Sequence, residues 1–201
     1  MQPKDIRPQK GALREMYKQL RRQLSPETRA AQDAQVTARV TRLWQYKQQP
    51  LLLTYVSTDI EVGTRALILQ ALAEGKQVAV PRCIPNTRDM EFYLIKSEDA
   101  LEPGAFGVME PNPARCTRLT DFSQGLCIVP GLSYDFLGYR LGYGKGYYDR
   151  FLARFKGDVA GICYSNCIRR KLPHGKFDRP VDVLVTEEFI RTTKKENILI
   201  I

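Results

Sequence analysis

The chain has 201 residues, 43% of them hydrophobic, enough to bury a sizeable core as one domain. No window approaches the roughly 18 uncharged apolar residues that cross a membrane, and the first seven residues lack the apolar core of a signal peptide, so a cytoplasmic protein without a membrane partner is expected. The net charge of +9 would suit nucleic acid, but the basic residues are spread and the aromatic-interleaved signatures of RNA modules are missing; no nucleic-acid partner is expected, and polyanionic small molecules suit the surface better.

Residues 10–24 are predicted to form a helix, with Leu13, Tyr17, Leu20 and Leu24 at three- and four-residue spacing and a basic opposite face. Lys10 and Arg14 lie one turn apart and can point the same way. Ser25 as N-cap, Pro26 at the first helical position and Glu27 in the first turn open a second helix, expected to run to about Tyr46. Residues 51–56 read as a buried strand, 57–61 as a loop at its carboxyl end, 64–74 as a helix closed by Gly75, and 76–80 as the next strand. Strand, helix and strand with short loops make a crossover in a parallel sheet, and ligands collect at the carboxyl ends of such strands. A further strand is expected at 90–95, followed by irregular chain over 101–111 that covers the site.

The apolar run 126–129, between Gly125 and Pro130, reads as another buried strand. A turn-rich segment follows, and then Gly142, Gly144 and Gly146 alternate with Tyr143 and Lys145 just ahead of a helix at 147–152. Glycines let backbone N–H groups approach an anion, and a following helix start adds free donors. Lys145 supplies a cation within the loop, Arg140 can fork onto phosphate oxygens, and Asp149 can reach a metal ion bridging them. The pattern points to a polyphosphate with Mg2+. It is not a P-loop, since five residues separate Gly138 from Gly144 and Gly146 follows Lys145. Nor is it the dinucleotide fingerprint, whose third glycine would stand where Tyr147 is.

Strands are expected at 159–164 and 182–185, separated by a basic turn, Arg169-Arg170-Lys171. Residues 194–201 read as a tail with an apolar end, suited to packing on the sheet or on another subunit. The five cysteines read as free thiols, with Cys163 and Cys167 in or near the core. The single histidine, His174, reads as a solvated loop residue, so a Ser-His-Asp or Cys-His mechanism has little to rest on.

The stretch Pro130 to Asp149 closely resembles the most specific block of the 5-formyltetrahydrofolate cyclo-ligase family, Pro-Gly-x-x-[FY]-Asp-x-x-Gly-x-Arg-Leu-Gly-x-Gly-x-Gly-[FY]-Tyr-Asp. Lys10-x-x-x-Arg14, Glu61, Pro81-Arg82, Glu110-Pro111, Asp178 and Val181-Asp182-x-x-Val185-Thr186 extend the resemblance over nearly the whole chain. It implies one α/β domain, a three-layer sandwich with a mostly parallel Rossmann-like sheet and some antiparallel strands. It implies that ATP and Mg2+ drive ring closure of 5-formyltetrahydrofolate, or its polyglutamates, to 5,10-methenyltetrahydrofolate with release of ADP and phosphate, in a monomer or weak homodimer. By the same resemblance, Lys145 and Arg140 are catalytic. Lys10, Arg14, Leu141, Gly142, Tyr143, Gly144, Gly146, Tyr147 and Tyr148 join them around the nucleotide. Val56, Glu61 and Tyr147 meet the folate, with Glu61 on the pterin N–H edge, and Asp149 and Asp178 are the Mg2+ carboxylates. Val62-Gly63 departs from the common pattern, where a second acidic residue often follows the glutamate. The chemistry-based alternatives are a sugar-phosphate isomerase or acyl-transfer enzyme on a related sheet, which would consume no ATP, and a nucleotide- or RNA-binding protein without turnover.

Overall fold

The computed structural model describes residues 5–104 and 107–193; the apolar tail expected at 194–201 lies outside them. Its centre is an eight-stranded sheet. Five neighbouring strands run parallel: β12 (Val183–Val185), β10 (Asp158–Ile162), β7 (Leu126–Val129), β1 (Leu51–Leu53) and β2 (Gln77–Cys83). Antiparallel strands extend both edges, β13 (Ile190–Thr192) beyond β12, and β3 (Met90–Ile95) then β6 (Thr117–Leu119) beyond β2. The parallel strands are short runs of Leu, Ile, Val, Ala and Cys buried almost throughout, as expected where both faces of a sheet are covered. The architecture is the mixed α/β fold, mostly parallel with antiparallel edges, that the strand and helix order predicts.

Several boundaries differ from the sequence reading. The first helix, α1, spans Arg7–Arg22, starting earlier because Pro8 is preorganised for a first turn. Arg21 is 1% exposed and continues the inward stripe of half-buried Leu13 and buried Tyr17. The second helix, α2 (Pro26–Val40), is capped by Ser25, whose hydroxyl accepts from Thr28 N at 3.1 Å. It stops six residues short of the expected end; an extended Leu43 resets the phase, and α3 (Trp44–Gln48) follows, so that Leu43 and Tyr46 are both buried. α4 (Arg65–Ala73) connects β1 to β2. β1 ends at Leu53, releasing Tyr55 and Val56 toward the cavity described below. β2 runs on through Pro81 to Cys83, because beyond Ala79 it pairs only with β3, and Pro81 needs no donor on its open side.

Two small sheets fall where no strand was expected. β4 (Leu101–Pro103) and β5 (Met109–Pro111) form an antiparallel ribbon in the segment read as irregular. β8 (Ser133–Asp135) and β9 (Arg140–Leu141) form a hairpin, with β11 (Ile168–Arg169) beside β8, so a strand pair separates β7 from the glycine loop. Buried Asp135 organises this hairpin by accepting from Leu137 N and Tyr139 N, both at 3.0 Å, and from Leu172 N at 2.9 Å. Tyr134 passes under the sheet and donates to Val129 O at 2.7 Å. A Cβ on Gly161 would stand 2.4 Å from the Tyr134 ring, so only glycine fits there. After the loop, α5 (Tyr147–Leu152) anchors itself through Phe151, whose ring packs 4.5 Å from Phe92, 5.2 Å from Phe122 and 5.4 Å from Phe155.

Candidate active site

A cavity of about 660 Å³ opens at the carboxyl ends of β1, β2 and β7, lined there by Tyr55 and Val56 after β1, Pro81 and Cys83 in the last residues of β2, and Pro130 after β7. The residues assigned to nucleotide, folate or metal in the sequence all border it: Lys10, Arg14, Val56, Glu61, Arg140 through Asp149, and Asp178. Seven Lys or Arg side chains face four carboxylates along its lining, an excess of positive charge suited to a polyanion. An adjoining cavity of about 780 Å³ shares Arg14, Cys83, Arg88 and Lys145 with it and adds Arg82.

The glycine loop is shaped by backbone conformation. Gly144 has φ +97°, and a Cβ placed there would stand 3.1 Å from the guanidinium carbon of Arg14, so glycine both permits the turn and leaves room for that cation. α1 lies across the loop: Arg14 Nε donates to Gly142 O at 2.8 Å, and Lys10, one turn earlier, reaches Asp178 at 2.7 Å. The helix after the loop has only six residues, so its dipole adds less than the sequence reading supposed, and the positive field comes mainly from side chains. The hydroxyl of Tyr148, at the start of α5, is buried and has no partner among the described residues, leaving a donor beside the cavity. Burial, first, and then the charge on neighbours such as Glu61 keep this phenol protonated far above the ordinary tyrosine range.

The two aspartates expected at a metal are each held by a cation. Asp149 Oδ1 accepts from Arg140 at 2.6 Å and from Arg179 N at 3.3 Å, while Arg140 also donates to Arg179 O at 3.0 Å. Asp178 Oδ2 accepts from Lys10 and, at 2.6 Å, from Gly175 N. The described residues contain no cluster of three or more His, Cys, Asp or Glu side chains of the kind that would enclose an ion.

Glu61 occupies the opposite wall. It is 8% exposed, and its Oε2 accepts from Thr58 N at 2.9 Å and Thr58 Oγ1 at 3.0 Å, an arrangement that fixes the carboxylate within its own loop. Tyr143 of the glycine loop is 42% exposed overall and lies near Glu61; desolvation of its hydroxyl end, then the Glu61 charge, raises its phenol well above the ordinary range. The glycine loop therefore touches both halves of the cavity. Sequence reasoning missed Tyr55, Thr58, Cys83, Arg88, Met109 and the buried Glu110, all of which line it. Glu110 accepts from Cys83 N at 3.1 Å, and burial, then the Glu110 charge, raises the Cys83 thiol. Only Glu110 carried a signal, as an acidic residue beside Pro111. His174 lies outside the cavity and is not simply solvated: its ring stacks on Tyr139 with centroids 3.6 Å apart and planes 3° from parallel.

Fold and site together define an α/β protein with a cationic, glycine-lined ligand cavity at the carboxyl ends of its parallel strands. Residues 6–187 match the 5-formyltetrahydrofolate cyclo-ligase family, and the chain belongs to that family of ligases. It is 32% identical over 174 residues to the "Probable 5-formyltetrahydrofolate cyclo-ligase" of Schizosaccharomyces pombe, covering 79% of this chain and 85% of that one. It is 30% identical over 190 residues to the 5-formyltetrahydrofolate cyclo-ligase of Mus musculus, covering 89% and 94%. Among solved structures, the 5,10-methenyltetrahydrofolate synthetase of Aquifex aeolicus superposes with a TM-score of 0.79 at 35% identity, covering 92% of this chain and 93% of that one.

Proposed function

We propose that this chain is a cytoplasmic, single-domain enzyme that uses ATP and Mg2+ to close the ring of 5-formyltetrahydrofolate, giving 5,10-methenyltetrahydrofolate, ADP and phosphate. The observation that carries this reading is that one cavity joins a cationic glycine loop to a buried carboxylate framed by apolar side chains, the two complements that a polyphosphate and a pterin require.

Chemically, the formyl oxygen is a poor leaving group. Its attack on the γ-phosphoryl forms a phosphate ester and releases ADP; N10 then adds to the activated carbon, and phosphate departs with that oxygen. Positioning and charge neutralisation dominate such a transfer. Lys145 and Arg140 oppose the negative charge on the transferring oxygens, Lys10 and Arg14 hold the remainder of the polyphosphate, and the loop N–H groups of 142–146 line its path. Glu61, which can only accept hydrogen bonds, orients the pterin by its N–H groups, with Val56 and Tyr147 against the folate.

Asp149 and Asp178 fit Mg2+ in the way that ion is usually held, by one or two carboxylates with phosphate oxygens and water completing the shell. When bound, the ion supplies neutralisation of phosphate charge. Arg140 and Lys10, now paired with these aspartates, would turn toward the phosphates, and the exchange leaves no charge unpaired. The test is the near-ultraviolet absorbance of the methenyl product on mixing protein, 5-formyltetrahydrofolate, ATP and Mg2+, with each omitted in turn. Product formed without ATP, or none in the complete mixture, overturns the reading.

A further inference from the structure

Buried side chains outside the cavity converge on the loop that carries Glu61. Two carbonyls of that loop accept from buried donors, Ile60 O from Arg21 at 2.9 Å and Val62 O from Tyr55 at 2.7 Å, while the Tyr164 hydroxyl, which gives its proton to Asp33 at 2.8 Å, stands 3.4 Å from Glu61 O between them. Arg21 is the unusual member. It is 1% exposed, and its partners are main-chain carbonyls and a thiol rather than a carboxylate. Its second nitrogen donates to Gly131 O at 2.5 Å and to Cys163 Sγ at 3.2 Å, its guanidinium lies 5.4 Å from the centre of the Tyr164 ring, and its Nε has no partner among the described residues.

Burying a guanidinium without a carboxylate is costly, and a Met or Leu on the same helical stripe would fill the space at lower cost. Stability therefore does not account for this residue. What Arg21 does that an apolar side chain could not is bridge two arms of the cavity, tying the Glu61 loop to Gly131, which follows the cavity-lining Pro130.

We propose that Arg21 is a positioning residue that sets Glu61 against the nucleotide half of the cavity, and so governs folate affinity while leaving nucleotide affinity alone. This rests on the reading of Glu61 as the folate contact. Lysine at this position keeps the charge but is a point donor, unable to hold two carbonyls with a fixed fork. The test compares wild type, Arg21→Lys, Glu61→Gln and the double variant by hydrogen–deuterium exchange and by calorimetric titration with 5-formyltetrahydrofolate and with Mg2+-ATP. The amides of Thr58, Glu61 and Thr64, all hydrogen-bonded within the loop, are the reporters.

In Arg21→Lys, exchange over 57–63 should rise roughly tenfold with 142–146 unchanged, since local opening reports local stability. Folate affinity should fall about tenfold and ATP affinity less than about twofold, and Arg21→Lys should add little to Glu61→Gln, because residues acting through one another are not additive. Unchanged exchange over 57–63, a uniform rise across the chain, equal loss of both ligands, or multiplicative effects with Glu61→Gln would each overturn the inference. Should Arg21→Lys not fold, Arg21→Met fills the same space without the two donated bonds, and unchanged exchange over 57–63 in that variant is equally fatal. If wild type binds no folate, the proposed function fails, and the exchange measurement still decides whether Arg21 holds the loop.

Discussion

Glu61→Gln tests the folate half of the cavity with the smallest change in volume. In the structure one carboxylate oxygen is committed to Thr58, at 2.9 Å from its N–H and 3.0 Å from its hydroxyl. The amide oxygen of glutamine can inherit those two bonds, which keeps the loop folded and turns the new NH2 toward the cavity, where the pterin N–H edge expects an acceptor. The perturbation is therefore the loss of a charged acceptor together with a donor facing a donor. A hydrogen bond to a charged group contributes about 1.5–3 kcal/mol, and the juxtaposed donors place the loss toward the upper part of that range. At about 1.4 kcal/mol per decade this weakens 5-formyltetrahydrofolate binding roughly 10- to 150-fold. ATP binding should change by less than about twofold, because the phosphate-binding side chains lie on other elements and one hydrogen bond away from Glu61 at the nearest. Calorimetric titration with each ligand separately measures both, and a thermal melt verifies that Thr58 keeps its partner. Equal loss of both affinities would refute the division of the cavity, and unchanged folate affinity and turnover would return Glu61 to a purely structural role in its loop.

Lys145→Ala should lower the turnover rate by about 10²- to 10³-fold with little change in melting temperature; an unaltered steady-state rate removes Lys145 from the transfer. Asp149→Asn should raise the Mg2+ concentration for half-maximal rate and also cost about 1 kcal/mol or more of stability, because the buried Arg140 loses a charged partner at 2.6 Å; superimposable Mg2+ titrations rule the metal role out. Phe151→Ala should cost about 3–5 kcal/mol by denaturant unfolding, since it empties the centre of a four-ring cluster; a loss under about 1 kcal/mol contradicts the packing. In the Cys163–Cys167 pair, the hydrogen bond from Cys163 and then the Arg21 charge lower Cys167 to about 7 while burial pushes Cys163 well up, so a single ionisation of the pair adds stability above the unfolded value and loses it as pH falls toward 7. Melting temperature should accordingly rise from pH 7 to pH 8.5, and a Cys167→Ser variant should flatten that rise; a parallel profile in the variant argues against a thiolate there.

The order of strands and helices was legible in the sequence because it is written locally. Short apolar runs mark β1 after Pro50, β2 after Gly75 and β7 between Gly125 and Pro130, and Ser25-Pro26-Glu27 marks a helix start by the chemistry of its own orphan donors. The glycine loop was legible for the same reason, since positive φ at Gly144 and Gly146 is a property of the residue in place. That Lys10, Glu61, Arg140 and Asp178 share one cavity was reached only through the family block, and tertiary structure alone decided their pairing. Lys10 meets Asp178 across 168 positions, and no local pattern encodes that approach. Arg21 drew no notice in a helix read as having a basic face; the register of α1 against the sheet turns it inward, where Ile60, Gly131 and Cys163 from three distant segments accept from it. The β8–β9 hairpin and the β4–β5 ribbon escaped notice because strands of two or three residues are too short to show a period, and acquire their pairing only when the rest of the chain has folded around them.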